Sequence, residues 1–245
     1  LLLSDNLELC DLPPINLDAL EYLDIVKTNI DLSTIPSQLK GLGVDRYQAA
    51  FGGLNNLSCL RITSPLEEKD LERLPLSQLE GFSAFEFVNL ERLESIRWLE
   101  LKGSRVLDHH CELSRLETLI LEDVIVQRFP HMPSLKKVCL KNTNLSEDAF
   151  KQLLSWRIEA LHIELLPEQV KPFFMREHSL RQLSIKGATS WEQILFCAHL
   201  SSLEQLWVED SLSEEICLSE ANALWNLQHL RCRLQDPGVE AIARH

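Results

Sequence analysis

Apolar side chains recur along this chain in a short phrase, apolar-x-x-apolar-x-apolar, as at Leu116, Leu119 and Leu121 or at Leu135, Val138 and Leu140. Taking the first residue of each phrase as a start, the clearer units begin at Leu20, Leu39, Leu57, Leu76, Ile96, Leu116, Leu135, Ile158, Leu180, Leu203 and Leu227. Starts lie 18 to 20 residues apart as far as Leu135 and 22 to 24 apart beyond it. Positions 4 and 6 of a unit, such as Leu23 and Ile25 or Leu161 and Ile163, alternate with the period of a strand, so they face a core while positions 3, 5 and 7 face out. A fixed period of this length predicts a solenoid in which each unit supplies one short strand and a returning arm. Burying about five aliphatic side chains gains roughly 10 kcal/mol. Ordering about 20 residues costs roughly 20 to 40 kcal/mol, so each unit depends on its neighbours.

The phrase resembles that of the leucine-rich-repeat family over nearly the whole chain. That resemblance implies an α/β solenoid, a horseshoe with a parallel sheet on its concave side. The weakest unit is the one at Leu76, where Gly81 takes the sixth position. The family's Asn at position 9, which bonds the backbone as the strand turns away, is mostly replaced, by Thr28, Tyr47, Pro65, Ser104, Val124, Thr143, Ala188 and Ser211 among others. An irregular stack is therefore expected.

The arms divide the chain in two. Up to residue 145 they are short and broken by Pro36, Pro65, Pro75, Pro130 and Pro133, which predicts irregular convex arms. From Ser146 the units lengthen and helix starts appear, with Ser146, Ser190 and Ser219 each leading a helix-forming run that contains acidic residues. Short helices are expected after each, and another over residues 236–245. Residues 1–245 read as one repeat domain of about 12 units. Leu1 and Leu3 already occupy positions 4 and 6 of a unit whose start is missing, so the segment is expected to derive from a longer protein.

Charge narrows the partners. With 37 acidic against 24 basic residues the net charge is -13, and no run of Lys and Arg exceeds two, which argues against a nucleic-acid backbone. No stretch is long and apolar enough to span a membrane. The 7 cysteines are scattered and form no paired end caps, a usage that fits a reducing, cytoplasmic setting.

Candidate chemistry is thin. Asp108-His109-His110-Cys111 spells the motif of palmitoyl transferases but lacks the zinc-binding and transmembrane context, and Gly41-Leu42-Gly43 is a fragment of a phosphate loop on outward strand positions. His162 and Glu164 share one strand and His229 lies on the last, without a nucleophile or third ligand at compatible spacing. The expectation is a non-enzymatic domain with no cofactor.

The register instead maps a binding face. Its candidate residues are Tyr22, Phe82, Trp98, Glu100, Ile120, Glu122, Lys137, Lys141, His162, Glu164, Trp207, Glu209 and Arg231. Trp98, Ile120 and Trp207 are the informative ones, because large apolar groups on a solvent-facing strand leave area for a partner to cover. Phe82 is expected to join Trp98 and Ile120 in one patch. The charges around them are mixed, which suits a protein ligand.

Two phrases carry a closer resemblance. Leu20-Glu21-Tyr22-Leu23-Asp24-Ile25-Val26-Lys27-Thr28-Asn29-Ile30 and the stretch from Phe129 to Asp148, with its Pro133-Ser134-Leu135-Lys136-Lys137-Val138-Cys139-Leu140 core, are similar to repeats of intracellular nucleotide-binding immune receptors of the plant resistance type. The resemblance implies a ligand-sensing domain that reads a protein on its concave face and contacts domains on its N-terminal side. A substrate receptor of a ubiquitin ligase and a bacterial effector that binds a host protein are the alternatives.

Overall fold

A computed structural model describes residues 1–6, 8–10, 19–30, 38–46, 54–66, 68–86, 90–103, 106–108, 110–164, 179–187, 202–212 and 227–234. The chain forms two compact units, Leu1–Ser134 with Asn144–Ala149, and Leu135–Thr143 with Phe150–His245.

In the first unit the strands are β1 (Tyr22–Asp24), β2 (Gly41–Val44), β3 (Cys59–Ile62), β4 (Gly81–Phe85), β5 (Trp98–Lys102), β6 (Val106–Asp108), β7 (Thr118–Glu122) and β8 (Ile125–Arg128). Strands β1, β2, β3, β4, β5 and β7 pair in that order, all parallel. Positions 4 and 6 stack inward across them. Leu23, Leu42, Leu60, Leu99 and Leu119 form one buried row, and Ile25, Val44, Ile62, Leu101 and Leu121 form another. This is the architecture of a leucine-rich-repeat solenoid, a stack of one-strand turns.

The second unit repeats the design. It contains β9 (Lys137–Lys141), while β10 (Asn144–Leu145) belongs to the first unit; then come β11 (Ala160–Glu164), β12 (Gln182–Lys186), β13 (Gln205–Leu212) and β14 (His229–Leu234). Strands β9, β11, β12, β13 and β14 are again parallel neighbours, with a register shift between Val208 and Ser211. Leu161, Leu183 and Leu206 line its core beside Ile163, Ile185 and Val208.

One frame changes. The strand expected from a start at Leu76 pairs instead as a start at Leu79 requires, with Leu60 opposite Phe82 and Ile62 opposite Ala84. Phe82 thus holds the inward fourth position and is 0% exposed, so it does not belong to the binding face. Leu76 begins a 3-10 turn, Leu76–Gln78, set by Pro75 before it.

The new frame is confirmed by the backbone. Asp5, Lys27, Glu86, Asp123 and Asn142 all have positive φ, as do Gly103 and Gly187, and each stands at position 8 of its unit. A left-handed residue turns the chain out of each of these strands whatever its side chain. Hydroxyls at position 9 then take over the part of the missing Asn: Thr28 Oγ1 donates to the Ile25 carbonyl at 2.8 Å, and Thr143 Oγ1 to the Lys141 carbonyl at 3.0 Å.

The arms are partly regular. Strands β6, β8 and β10 form a second parallel sheet on the arm side of the first unit, each burying one aliphatic residue, Leu107, Val126 and Leu145. Helix α1 (Glu68–Leu71) is a single turn, whereas α2 (Glu147–Ser155) starts where Ser146 predicts. The Ser146 hydroxyl accepts the Ala149 N–H at 3.1 Å, and Ala149 and Leu153, four apart, are buried. The runs after Ser190 and Ser219 and residues 236–245 lie outside the described residues. No helix among the described residues is long and apolar enough to cross a membrane.

Candidate functional site

On the open face of the first unit, positions 3 and 5 form two rows. Position 3 reads Tyr22, Gly41, Cys59, Gly81, Trp98, Thr118, and position 5 reads Asp24, Gly43, Arg61, Ser83, Glu100, Ile120. The glycines decide what happens there. A Cβ on Gly41 would stand 2.9 Å from Tyr22 Cε1, so the Tyr22 ring lies across β2. A Cβ on Gly81 would stand 2.9 Å from Cys59 Sγ and 3.6 Å from Trp98 Cε3, so Trp98 lies towards β4. Asp24 likewise fills the space over Gly43, which lets its carboxylate meet Arg61 two strands away at 3.2 Å.

The result is a groove of about 210 Å³, with Leu1, Leu2, Tyr22, Gly41, Cys59 and Trp98 among its lining residues. Tyr22 is 55% exposed and Trp98 is half-buried. Cys59, midway between the rings, is an exposed thiol.

The charges of this face bind one another. Ser83 Oγ donates to Glu100 at 2.6 Å, and Lys102 sits between Glu100 at 3.3 Å and Glu122 at 2.9 Å. Partial burial pulls the Lys102 ammonium down, but the hydrogen bonds and charges of Glu122 and Glu100 outweigh it and raise it above its ordinary value. Along position 2, Lys40 pairs with Glu21 and Arg97 with Glu117, both at 2.6 Å. Such exposed pairs add little stability, but they favour one strand register over its neighbours. Hydrogen bonding and charge from Glu117 raise the Arg97 guanidinium above its ordinary value, and Glu80, exposed in the same row, adds to the effect.

The second unit presents Lys137, Lys141, His162, Glu164, Trp207 and Glu209 on its strand face, with Trp207 38% exposed. Arg231 is the register partner of Trp207. Lys186 bonds Glu164 at 2.8 Å. His162 Nδ1 lies 2.8 Å from Ser184 Oγ, which donates to Glu209 at 3.3 Å, while Glu209 is 3.6 Å from Nδ1. This is not a nucleophile relay: the serine stands between histidine and carboxylate, and Ser184 is buried, so no substrate reaches its hydroxyl. His162 Nε2 is buried without a partner among the described residues.

No protein-family model and no curated protein sequence matches the chain. Among solved structures it is similar to an internalin from Listeria monocytogenes str. 4b F2365. That match has 13% identity and a TM-score of 0.47, and covers 87% of this chain and 67% of that one.

Of the face residues expected from sequence, Tyr22, Trp98, Glu100, Ile120 and Glu122 share the open face of the first unit, and Phe82 leaves it for the core. The groove is not legible in the sequence, because it depends on the room that Gly41 and Gly43 leave between larger neighbours on other strands. The signal in the sequence is Gly41 and Gly43 at alternate strand positions, a pattern that also matches a fragment of a phosphate loop.

Proposed function

We propose that this chain is a non-enzymatic repeat domain for protein–protein recognition, and that its open strand face holds the partner. The observation that carries this reading is the display of Tyr22, Trp98 and Ile120 toward solvent on paired parallel strands while the charges around them are largely engaged with each other. A rigid face with part-exposed aromatic anchors needs little ordering to bind, which favours affinity. The finer reading is a ligand-sensing domain of an intracellular nucleotide-binding immune receptor. The phrases at residues 20–30 and 129–148 support it, and a P-loop module encoded upstream is the expected finding on reading the gene outward.

The test compares capture from cell lysate by the wild-type chain and by Trp98→Ala/Glu100→Ala/Ile120→Ala, both checked for folding by circular dichroism. A partner held by the wild type and lost by the variant is expected. Equal capture by both would remove function from this face.

A further inference from the structure

We infer that His162, Ser184 and Glu209 form a proton-operated brace across three strands of the second unit, closed while the imidazole is neutral and released when it is protonated. The brace needs no partner, so it stands apart from the recognition reading above.

Counting hydrogens fixes the closed state. Ser184 is buried, and its hydroxyl carries one hydrogen, which it donates to Glu209 at 3.3 Å. The 2.8 Å contact between Ser184 Oγ and His162 Nδ1 must then take its hydrogen from the ring. The neutral imidazole is therefore the Nδ1–H tautomer, and Nε2 is a bare acceptor, buried without a hydrogen-bond partner. In the other tautomer Ser184 would turn its hydrogen to Nδ1, Glu209 would lose its donor, and an unpaired Nε2–H would be buried. One bond would replace two.

The bonds join strands that the backbone leaves loose at one end. His162 and Ser184 are register partners on β11 and β12. The pairing of β12 with β13 ends at Ile185 and Val208, and Glu209, the next residue, extends the link through its side chain. Trp207, the register partner of Ser184, stands on the face that this link holds in place.

Acid adds its proton at Nε2. That nitrogen becomes a charged donor where the described residues offer no acceptor, which opposes the charged ring in its present position. Glu209 lies 3.6 Å from Nδ1 and attracts an imidazolium, but its side chain is nearly half exposed and water screens the attraction. The surroundings add no further support. On β9, Cys139 stands opposite His162 with Lys137 and Lys141 two positions to either side, and both ammonium groups repel a charged ring. On β11 itself, Glu164 is tied to Lys186 of β12. The protonated ring therefore turns Nε2 to water and gives up Ser184.

Two measurements on the full chain test the brace. With isotope-labelled histidine, the ring signals that vanish in His162→Asn belong to His162, and at about pH 8 they should show the Nδ1–H tautomer. Hydrogen exchange, read by mass spectrometry at about pH 7.5 and 5.5 and corrected for intrinsic rate, should be about fivefold faster in β12 and β13 at the lower pH. That factor corresponds to the loss of about one hydrogen bond. His162→Asn, which cannot take up a proton, should abolish the difference, and Ser184→Ala should exchange fast at both values. An Nε2–H tautomer, equal exchange of the wild type at both values, or a difference that survives in His162→Asn would each overturn the brace.

Discussion

At single positions, backbone conformation and burial outrank side-chain identity. At position 8 of seven units Asp, Lys, Glu, Gly or Asn takes a left-handed turn, though Arg46 and Ser64 at the same position do not; the conformation costs a residue with a Cβ about 1 to 2 kcal/mol. Gly103 is the extreme case, with φ at 107° and Glu86 Cγ 2.9 Å from where a Cβ would be. Gly103→Ala is expected to destabilise the fold by about 1 to 3 kcal/mol in denaturant titration. Cys111 gives a second prediction. Partial burial pushes its thiol above the ordinary value, and Glu91 adds to the effect. At pH 8 less of it is thiolate than of an unperturbed thiol, so iodoacetamide should modify Cys111 more slowly than the exposed Cys10 and Cys59, as read by peptide mass spectrometry. Because the folded-state value is raised, the linked contribution to stability is complete below the ordinary thiol range and fades as pH rises through the higher value.

Among the elements, caps and register matter most. Ser146 supplies the hydroxyl that accepts the Ala149 N–H, so Ser146→Ala should lower stability by about 1 kcal/mol, seen as a shift in thermal midpoint. Phe82 tests the frame of β4. As a core residue it should cost about 3 to 5 kcal/mol when replaced by alanine, whereas the exposed Tyr22 should cost far less; similar losses at both would contradict the burial seen here. The start of this unit is ambiguous in the sequence for a local reason. Leu76 and Leu79 both offer a leucine three residues ahead of a suitable position, and only pairing with β3 chooses between them. The arm-side sheet is not legible in the sequence because strands of two to four residues with one buried side chain each carry no periodic signal. The start of α2 was legible because an N-cap serine, an acidic first turn and an apolar spacing all agreed.

For the molecule as a whole, the net charge of -13 and a pI near 5.1 keep the chain strongly anionic at neutral pH. Solubility should be lowest near pH 5, measured as residual protein after centrifugation across a pH series, because self-repulsion vanishes there. What the sequence by itself determined is the repeating turn: a two-residue alternation can bury its leucines only as strands, and units too small to stand alone must stack as parallel neighbours. The inward rows and the open face follow from that periodicity. Tertiary structure decided the rest. It moved Phe82 into the core, set Thr28 and Thr143 in place of asparagine, and laid Tyr22 and Trp98 over glycines of adjacent strands. Those outcomes depend on contacts between residues about 20 positions apart, where the space one strand leaves empty is taken by a side chain of the next, and no local pattern encodes that exchange.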